Sequence, residues 1–259
     1  MQDTILPSIC KSMFTSSDRA RLRSEFLDRA AKDARITGAA ITGSVAVDRE
    51  DKWSDIDLAF GVADSVDLAS VLSDWTSYMY ADYAALTHFD VRTGAWIYRV
   101  FLLPSTLQVD LAFVPAAEFR PMGSSFRLVS GTANGPREFP IPQSGDLIGM
   151  GWLYALHVRS SIARGHFWQA EYMISAMRDT AMALACVRHG LPAVHGRGFD
   201  ALPSESIARF QGSLVRMLEG EELSRAFRVV TEAFLGEVRF ADVHLARRLE
   251  PALAEMCGG

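Results

Sequence analysis

Asp55 and Asp57 flank Ile56 in the run Asp55-Ile56-Asp57-Leu58-Ala59-Phe60, which reads as a strand entering a core. Side chains alternate along a strand, so the two acids share one face while Ile56 and Leu58 point to the other. Carboxylates held side by side repel, and a divalent cation between them relieves the repulsion. Hard oxygen ligands at this spacing suit Mg²⁺ or Mn²⁺. A third acid, Asp110, lies in Leu107-Gln108-Val109-Asp110-Leu111-Ala112-Phe113, among apolar neighbours that demand burial. If the two strands are adjacent in a sheet, the three acids converge. They can then hold two metal ions, one activating an attacking hydroxyl and one shared with a triphosphate. In-line phosphoryl chemistry needs this arrangement, because positioning and charge neutralisation do most of its work.

Gly43-Ser44 ends the apolar, β-branched run Ile36 to Thr42. Gly43 allows close backbone approach, and Ser44 offers a hydroxyl and an N–H at an expected helix start, which suits phosphate oxygens. An Asp-x-Asp pair alone arises by chance about once in a chain this long. Order and context give the pattern its meaning: strand, Gly-Ser, the polar loop Val45 to Ser54, Asp-x-Asp entering an apolar strand, then another strand acid.

The residues Gly43-Ser44, Trp53-Ser54-Asp55-Ile56-Asp57-Leu58 and Val109-Asp110-Leu111 resemble the DNA polymerase β-like nucleotidyltransferase superfamily. The layout of a catalytic domain followed by a helical one is similar to the small-molecule antibiotic nucleotidyltransferases, which adenylylate hydroxyls of aminoglycosides or lincosamides using ATP and Mg²⁺. The resemblance implies that Asp55 and Asp57 bind both metal ions, Asp110 the catalytic one, and Gly43 with Ser44 the triphosphate. It also implies an acceptor cleft between the domains, and transfer of AMP from ATP to a hydroxyl of a small polar molecule with release of pyrophosphate. Two other classes stay open: nucleotidylation of a protein or tRNA in a toxin–antitoxin system, and a nucleotide-binding module without catalysis.

In such enzymes a carboxylate of the helical domain often serves as general base, and Glu171 in Phe167-Trp168-Gln169-Ala170-Glu171-Tyr172 is the candidate. Asp90, on the same strand face as His88, is the second; its bland alternative is an ion pair with Arg92. Arg99, Arg159, Arg164 and Arg178 are weighed for phosphate or acceptor contacts, with surface or structural roles expected for most. Trp168 and Tyr172, spaced i, i+4, are expected in a core rather than as a sugar or base platform. Arg188 and His195 loosely fit the Arg-x(4–6)-His pattern of helical ribonuclease domains, but Gly190 and Pro192 interrupt the spacer. The Gly-rich loop His195 to Asp200 follows no strand, so a phosphate loop there has little support.

The elements that must position these residues follow from periodicity. Ser16-Ser17-Asp18 supplies cap candidates for a helix over Arg19 to Ala34. Strands are expected over Ile36 to Thr42, Ile56 to Val62, Ala85 to Val91, Ala95 to Leu103 and Leu107 to Val114. A helix is expected from Val66 to about Tyr83, and a turn at Pro104-Ser105-Thr106. From Phe119 to Gln143 glycines and prolines punctuate the chain, which suggests a boundary. Beyond it the period is helical: Asp146 to Ala163, Phe167 to His189, Ser204 to Leu218, Glu221 to Phe234, and Ala241 to Met256. The expected fold is therefore α+β: a catalytic domain with a mixed β-sheet flanked by helices (1–140), followed by an all-α helical bundle (141–259) for the acceptor.

Composition agrees with a folded chain. Apolar residues make up 49% and charged residues 22%, as in ordinary soluble domains. A net charge of -5 disfavours a polynucleotide partner, which needs a basic face. Cys10, Cys186 and Cys257 are few, odd in number and without metal-ligand spacing, which fits a reducing cytosol. Lys11, Lys32 and Lys52 are the lysines, so most positive charge is arginine. Met1 to Phe14 lacks signal-peptide character, and Arg99 interrupts the most apolar stretch, so no membrane partner and a cytoplasmic location are expected. Oligomeric state is left open.

Overall fold

The computed structural model describes residues 14–137 and 141–258. Cys10, Lys11, Pro140 and the stretch 1–13 weighed for targeting lie outside the described residues. The chain forms two compact units, Met1–Phe139 and Pro140–Gly259. The first is a mixed sheet with helices and the second is helical, an α+β architecture.

In the first unit, α1 (Ser16–Lys32) is capped by Thr15 rather than by the serines after it. Thr15 Oγ1 accepts from Asp18 N at 3.1 Å while Thr15 N donates to Asp18 Oδ2 at 2.9 Å, satisfying two N–H groups reciprocally. The strands are β1 (Ile36–Thr42), β2 (Ile56–Val62), β3 (Thr87–Thr93), β4 (Trp96–Leu102), β5 (Gln108–Pro115) and β6 (Phe126–Gly131). They lie in the order β3-β4-β5-β2-β1-β6. The β2–β5 pair is parallel and the other pairings are antiparallel. Strand β6 lies within the stretch Phe119 to Gln143 that the glycines and prolines mark as a boundary, where the sequence suggests no strand. It is an exposed edge strand, and its pairing to β1 supplies the order that its own apolar content does not.

Helix α2 (Gly43–Ala46) follows β1 directly. Helix α3 (Leu68–Tyr83) starts two residues later than periodicity suggests, because the Asp67 side chain caps it by accepting from Ala69 N at 3.1 Å. Alternation along β2 and β5 divides the unit into two cores. Phe60, Phe113, Leu58, Val109 and Leu111 pack with Trp75 and Met79 of α3 and Phe26 of α1. The Phe60 and Trp75 rings stack at 4.9 Å. Truncating a fully buried phenylalanine here, such as Phe60→Ala, removes about 3–5 kcal/mol. On the opposite face, Ala40, Ala59, Ala112 and Val114 pack with Phe119, whose ring lies against Gly38 and Gly61, where a Cβ would clash.

The second unit contains α4 (Ser144–Ala163), α5 (Phe167–His189), α6 (Ser204–Gln211), α7 (Gly220–Ala241) and α8 (Val243–Gly258). Helix α6 ends seven residues before the expected Leu218, and α7 runs on to Ala241. Buried Phe227, Val230, Phe234 and Val238 on α7 face Ile174, Met177 and Ala181 of α5 in one core. Glu237, wholly buried on α7, accepts from Arg188 at 2.9 Å and from Arg209 at 3.2 Å. That pairing gives Arg188 a structural place. His195 sits outside the helix, in a turn at φ +57°. None of the helices among the described residues is long and apolar enough to cross a membrane.

Candidate active site

Register brings the acids together. In the parallel β2–β5 pair, Asp57 stands directly opposite Asp110, so both carboxylates leave the same face of adjacent strands. Asp55, one residue before β2, accepts a hydrogen bond from Gln108 Nε2 at 3.0 Å. Gln108 lies two residues before Asp110 and therefore on its face. Alternation from Asp110 was enough to find it, and the motif reading passed over it.

The electrostatics are those of a site short of positive charge. Oδ1 of Asp110 is buried with no hydrogen-bond partner among the described residues. Burial pushes this carboxyl up to about 6, and the Asp55 carboxylate adds to the rise. Tyr98 on β4, a residue the sequence did not single out, has its phenol raised by burial and then by Asp110.

Gly43 adopts φ +66°, and a Cβ placed there would overlap Oδ2 of Asp57. Only glycine therefore lets the β1–α2 turn close onto the acid. The turn's positive φ followed by helical Ser44 aims successive backbone N–H groups into one concavity, an anion-binding arrangement. Helix α2 has only four residues, too few for a useful macrodipole, so what the turn offers an anion is these N–H groups rather than the helix end expected from the sequence.

The loop between Ser44 and Asp55 is fixed from beneath. Ser44 Oγ and Ser54 Oγ are 3.0 Å apart, and Ser54 Oγ accepts from Asp51 N at 2.9 Å. Arg19 of α1, fully buried, donates to the carbonyls of Asp51 and Lys52 and to Glu50. Burial works against the Glu50 charge, but Arg23 and Arg19 together hold its carboxyl below the usual range. Helix α1 thereby anchors the loop that carries Asp55.

The other sequence candidates have partners of their own within each unit. Asp90 forms a two-point pair with Arg99 at 2.7 and 2.8 Å, and Arg99 also donates to Thr76 Oγ1 and the Leu72 carbonyl of α3. Asp90, Arg99 and Leu111 share a register row that faces α3, opposite the Asp57–Asp110 face. This removes Asp90 as a base and Arg99 as a phosphate ligand. The Arg92 pairing expected for Asp90 is only the longer contact, at 3.4 Å. In the second unit, Glu171 accepts from Ser175 Oγ at 2.7 Å, and Ser175 also receives Arg178 at 3.0 Å. Arg159 pairs with Glu255 at 3.2 Å. Trp168 and Tyr172 are 77% and 67% exposed, against the expectation of a core stripe. The buried face of α5 runs instead through Ala170, Ile174 and Met177.

No three His, Cys, Asp or Glu side chains among the described residues already stand at metal-ligating distance. The residues nevertheless fit a hard divalent cation. Their donors are all carboxylate oxygen, one buried oxygen is unpartnered, and burial, with the Asp55 charge beside it, makes ionising Asp110 costly, a cost that a bound cation would offset.

No known protein family matches the chain, and neither does any curated protein. Among solved structures the chain is similar to the crystal structure of an aminoglycoside 6-adenyltransferase from Bacillus subtilis. The TM-score is 0.42 and the identity 13%, over 93% of this chain and 99% of that one.

Proposed function

We propose that the protein is a metal-dependent nucleotidyltransferase that moves a nucleoside monophosphate, AMP from ATP, to a hydroxyl of a small molecule and releases pyrophosphate. One observation carries the reading: Asp57 and Asp110 paired on adjacent parallel strands, with a buried, unpartnered oxygen on Asp110. Asp55, Asp57 and Asp110 would hold Mg²⁺, which when bound supplies charge neutralisation at the α-phosphate and activation of the acceptor hydroxyl.

The chain's own groups do the rest. The Gly43 and Ser44 N–H groups donate to triphosphate oxygens and stabilise the departing pyrophosphate. Ser54 holds the Ser44 hydroxyl, and Arg19 holds the loop that joins them, so the donors are set before the nucleotide arrives. Gln108 orients Asp55. Glu171 is the proposed base for the acceptor proton, and its Ser175 hydrogen bond fixes its rotamer.

The test is pyrophosphate release from ATP and Mg²⁺ with a panel of hydroxyl acceptors that includes aminoglycosides and lincosamides. Acceptor-dependent release that disappears in Asp57→Asn and Asp110→Asn supports the reading. Release that persists in both variants contradicts it.

A further inference from the structure

The sheet face that carries the acids continues past them. Across β5, β4 and β3, Asp110 pairs with Val100 and Val100 with Phe89. The row on one side runs Gln108, Leu102, Thr87, and the row on the other runs Ala112, Tyr98, Val91. The charged residues of these strands, Asp90, Arg92 and Arg99, alternate to the opposite face. Within these rows Asp110 is the one acid and there is no cation. Phe89 is 70% exposed, and Val91 and Leu102 are also exposed. A cavity of about 180 Å³ is lined by Thr87, Phe89, Val100, Leu102 and Gln108 of this face, with His88 and Phe101 between them in sequence, beside the group that holds Asp55. Beside the acids, then, the face is apolar and open rather than polar.

In-line displacement decides what the ligand is. Attacking and leaving oxygens lie on opposite sides of the reacting phosphorus. Gly43-Ser44 follows β1, on one flank of Asp57, and β5 with Asp110 lies on the other. With pyrophosphate leaving toward Gly43-Ser44, the attacking hydroxyl comes from the Asp110 side, over β5 and β4. Strands are spaced about 4.8 Å apart, so Phe89 sits roughly 10 Å from Asp110, the reach of one ring or a short alkyl chain.

We infer that the apolar face formed by Phe89, Val100 and Leu102 binds the acceptor, which therefore carries an uncharged aromatic or aliphatic group beside its reacting hydroxyl. This rests on the nucleotidyl-transfer reading and specifies its substrate class. A polyamino acceptor finds no carboxylate besides Asp110 on this face of the three strands, Asp90 lying on the opposite one.

The experiment is calorimetric titration of methyl, butyl and phenyl glucosides, and of a polyamino glycoside, into the full chain with Mg²⁺ and a non-hydrolysable ATP analogue. Each fully buried methylene raises affinity by about fourfold, so butyl, with three more than methyl, should exceed it by roughly tenfold when partly buried and by up to about sixtyfold when fully buried. Phe89→Ser, an exposed edge-strand change that leaves the core intact, should remove most of that gain. A flat series, an unaltered series in Phe89→Ser, or a preference for the polyamino glycoside overturns the proposal. So does sedimentation showing a dimer that Phe89→Ser dissolves, which would assign the face to a second copy of the chain. The analogue alone separates the two levels. Mg²⁺-dependent analogue binding with a flat glucoside series sinks only the acceptor class, whereas analogue binding indifferent to Mg²⁺ sinks the transfer reading and this proposal with it.

Discussion

Asp110→Asn should stabilise the metal-free protein while abolishing transfer. The Asp110 carboxyl has its folded value raised from 3.8 to about 6 by burial and by Asp55. The folded state thus binds this proton more tightly than the unfolded chain does. The stability it contributes is whole below about pH 3.8 and is lost as pH rises through about 6. By neutral pH the loss is about 3 kcal/mol. Asparagine keeps the shape and drops the charge, but its amide also needs partners in a place where Oδ1 has none, which costs about 1 kcal/mol or more. A net gain of about 1–2 kcal/mol remains, worth several degrees of Tm in a chain of this size. Thermal melts in EDTA over a pH series should show the variant's advantage absent near pH 4, growing mainly between about pH 4 and 6, and nearly level above 7. Mg²⁺ with an ATP analogue should raise the wild-type Tm and raise the variant's by less. A pH-independent difference, or a variant less stable at pH 8, would refute the reasoning.

Gly43→Ala places a methyl against Asp57 Oδ2 at a positive φ. It should lower stability by about 1–3 kcal/mol and cut kcat/KM at least roughly a hundredfold, read by melts and pyrophosphate release. Arg19→Met removes the donors to Glu50, Asp51 and Lys52. It should cost about 2–4 kcal/mol and speed amide exchange through residues 47–55, whereas unchanged exchange there would deny Arg19 its anchoring role. Glu171→Gln should lower kcat by about 10²–10⁴ without altering Mg²⁺-dependent binding of the ATP analogue, and an unchanged kcat would remove Glu171 as the base.

Much of the scaffold could be read from periodicity. Strands β1 and β2 have the bounds that their apolar, β-branched runs suggest, because both are central and buried. Strand β6 could not be read, since Phe126 to Gly131 is an exposed edge whose order comes from β1. Within the site, alternation puts Asp55 and Asp57 on one face, but only the parallel β2–β5 register sets Asp110 beside Asp57. Asp90 misled for the same reason: its own strand fixes the face it shares with His88, while the cross-strand partner, Arg99, depends on the β3–β4 register. Trp168 and Tyr172 have helical spacing that serves an exposed face as well as a buried one. Their exposure is decided by Ala170, Ile174 and Met177 facing α7. Arg19 was invisible because the groups it binds, two backbone carbonyls and the Glu50 carboxylate, lie about thirty residues away.

The central claim is that Asp55, Asp57 and Asp110 together hold metal for a triphosphate donor. Manganese titration followed by electron paramagnetic resonance, with a non-hydrolysable ATP analogue present, tests it most directly. The account predicts two bound Mn²⁺ per chain, reduced in Asp110→Asn and absent in Asp57→Asn. Analogue binding of equal affinity with and without Mn²⁺, or Mn²⁺ uptake unaffected by either substitution, would contradict it.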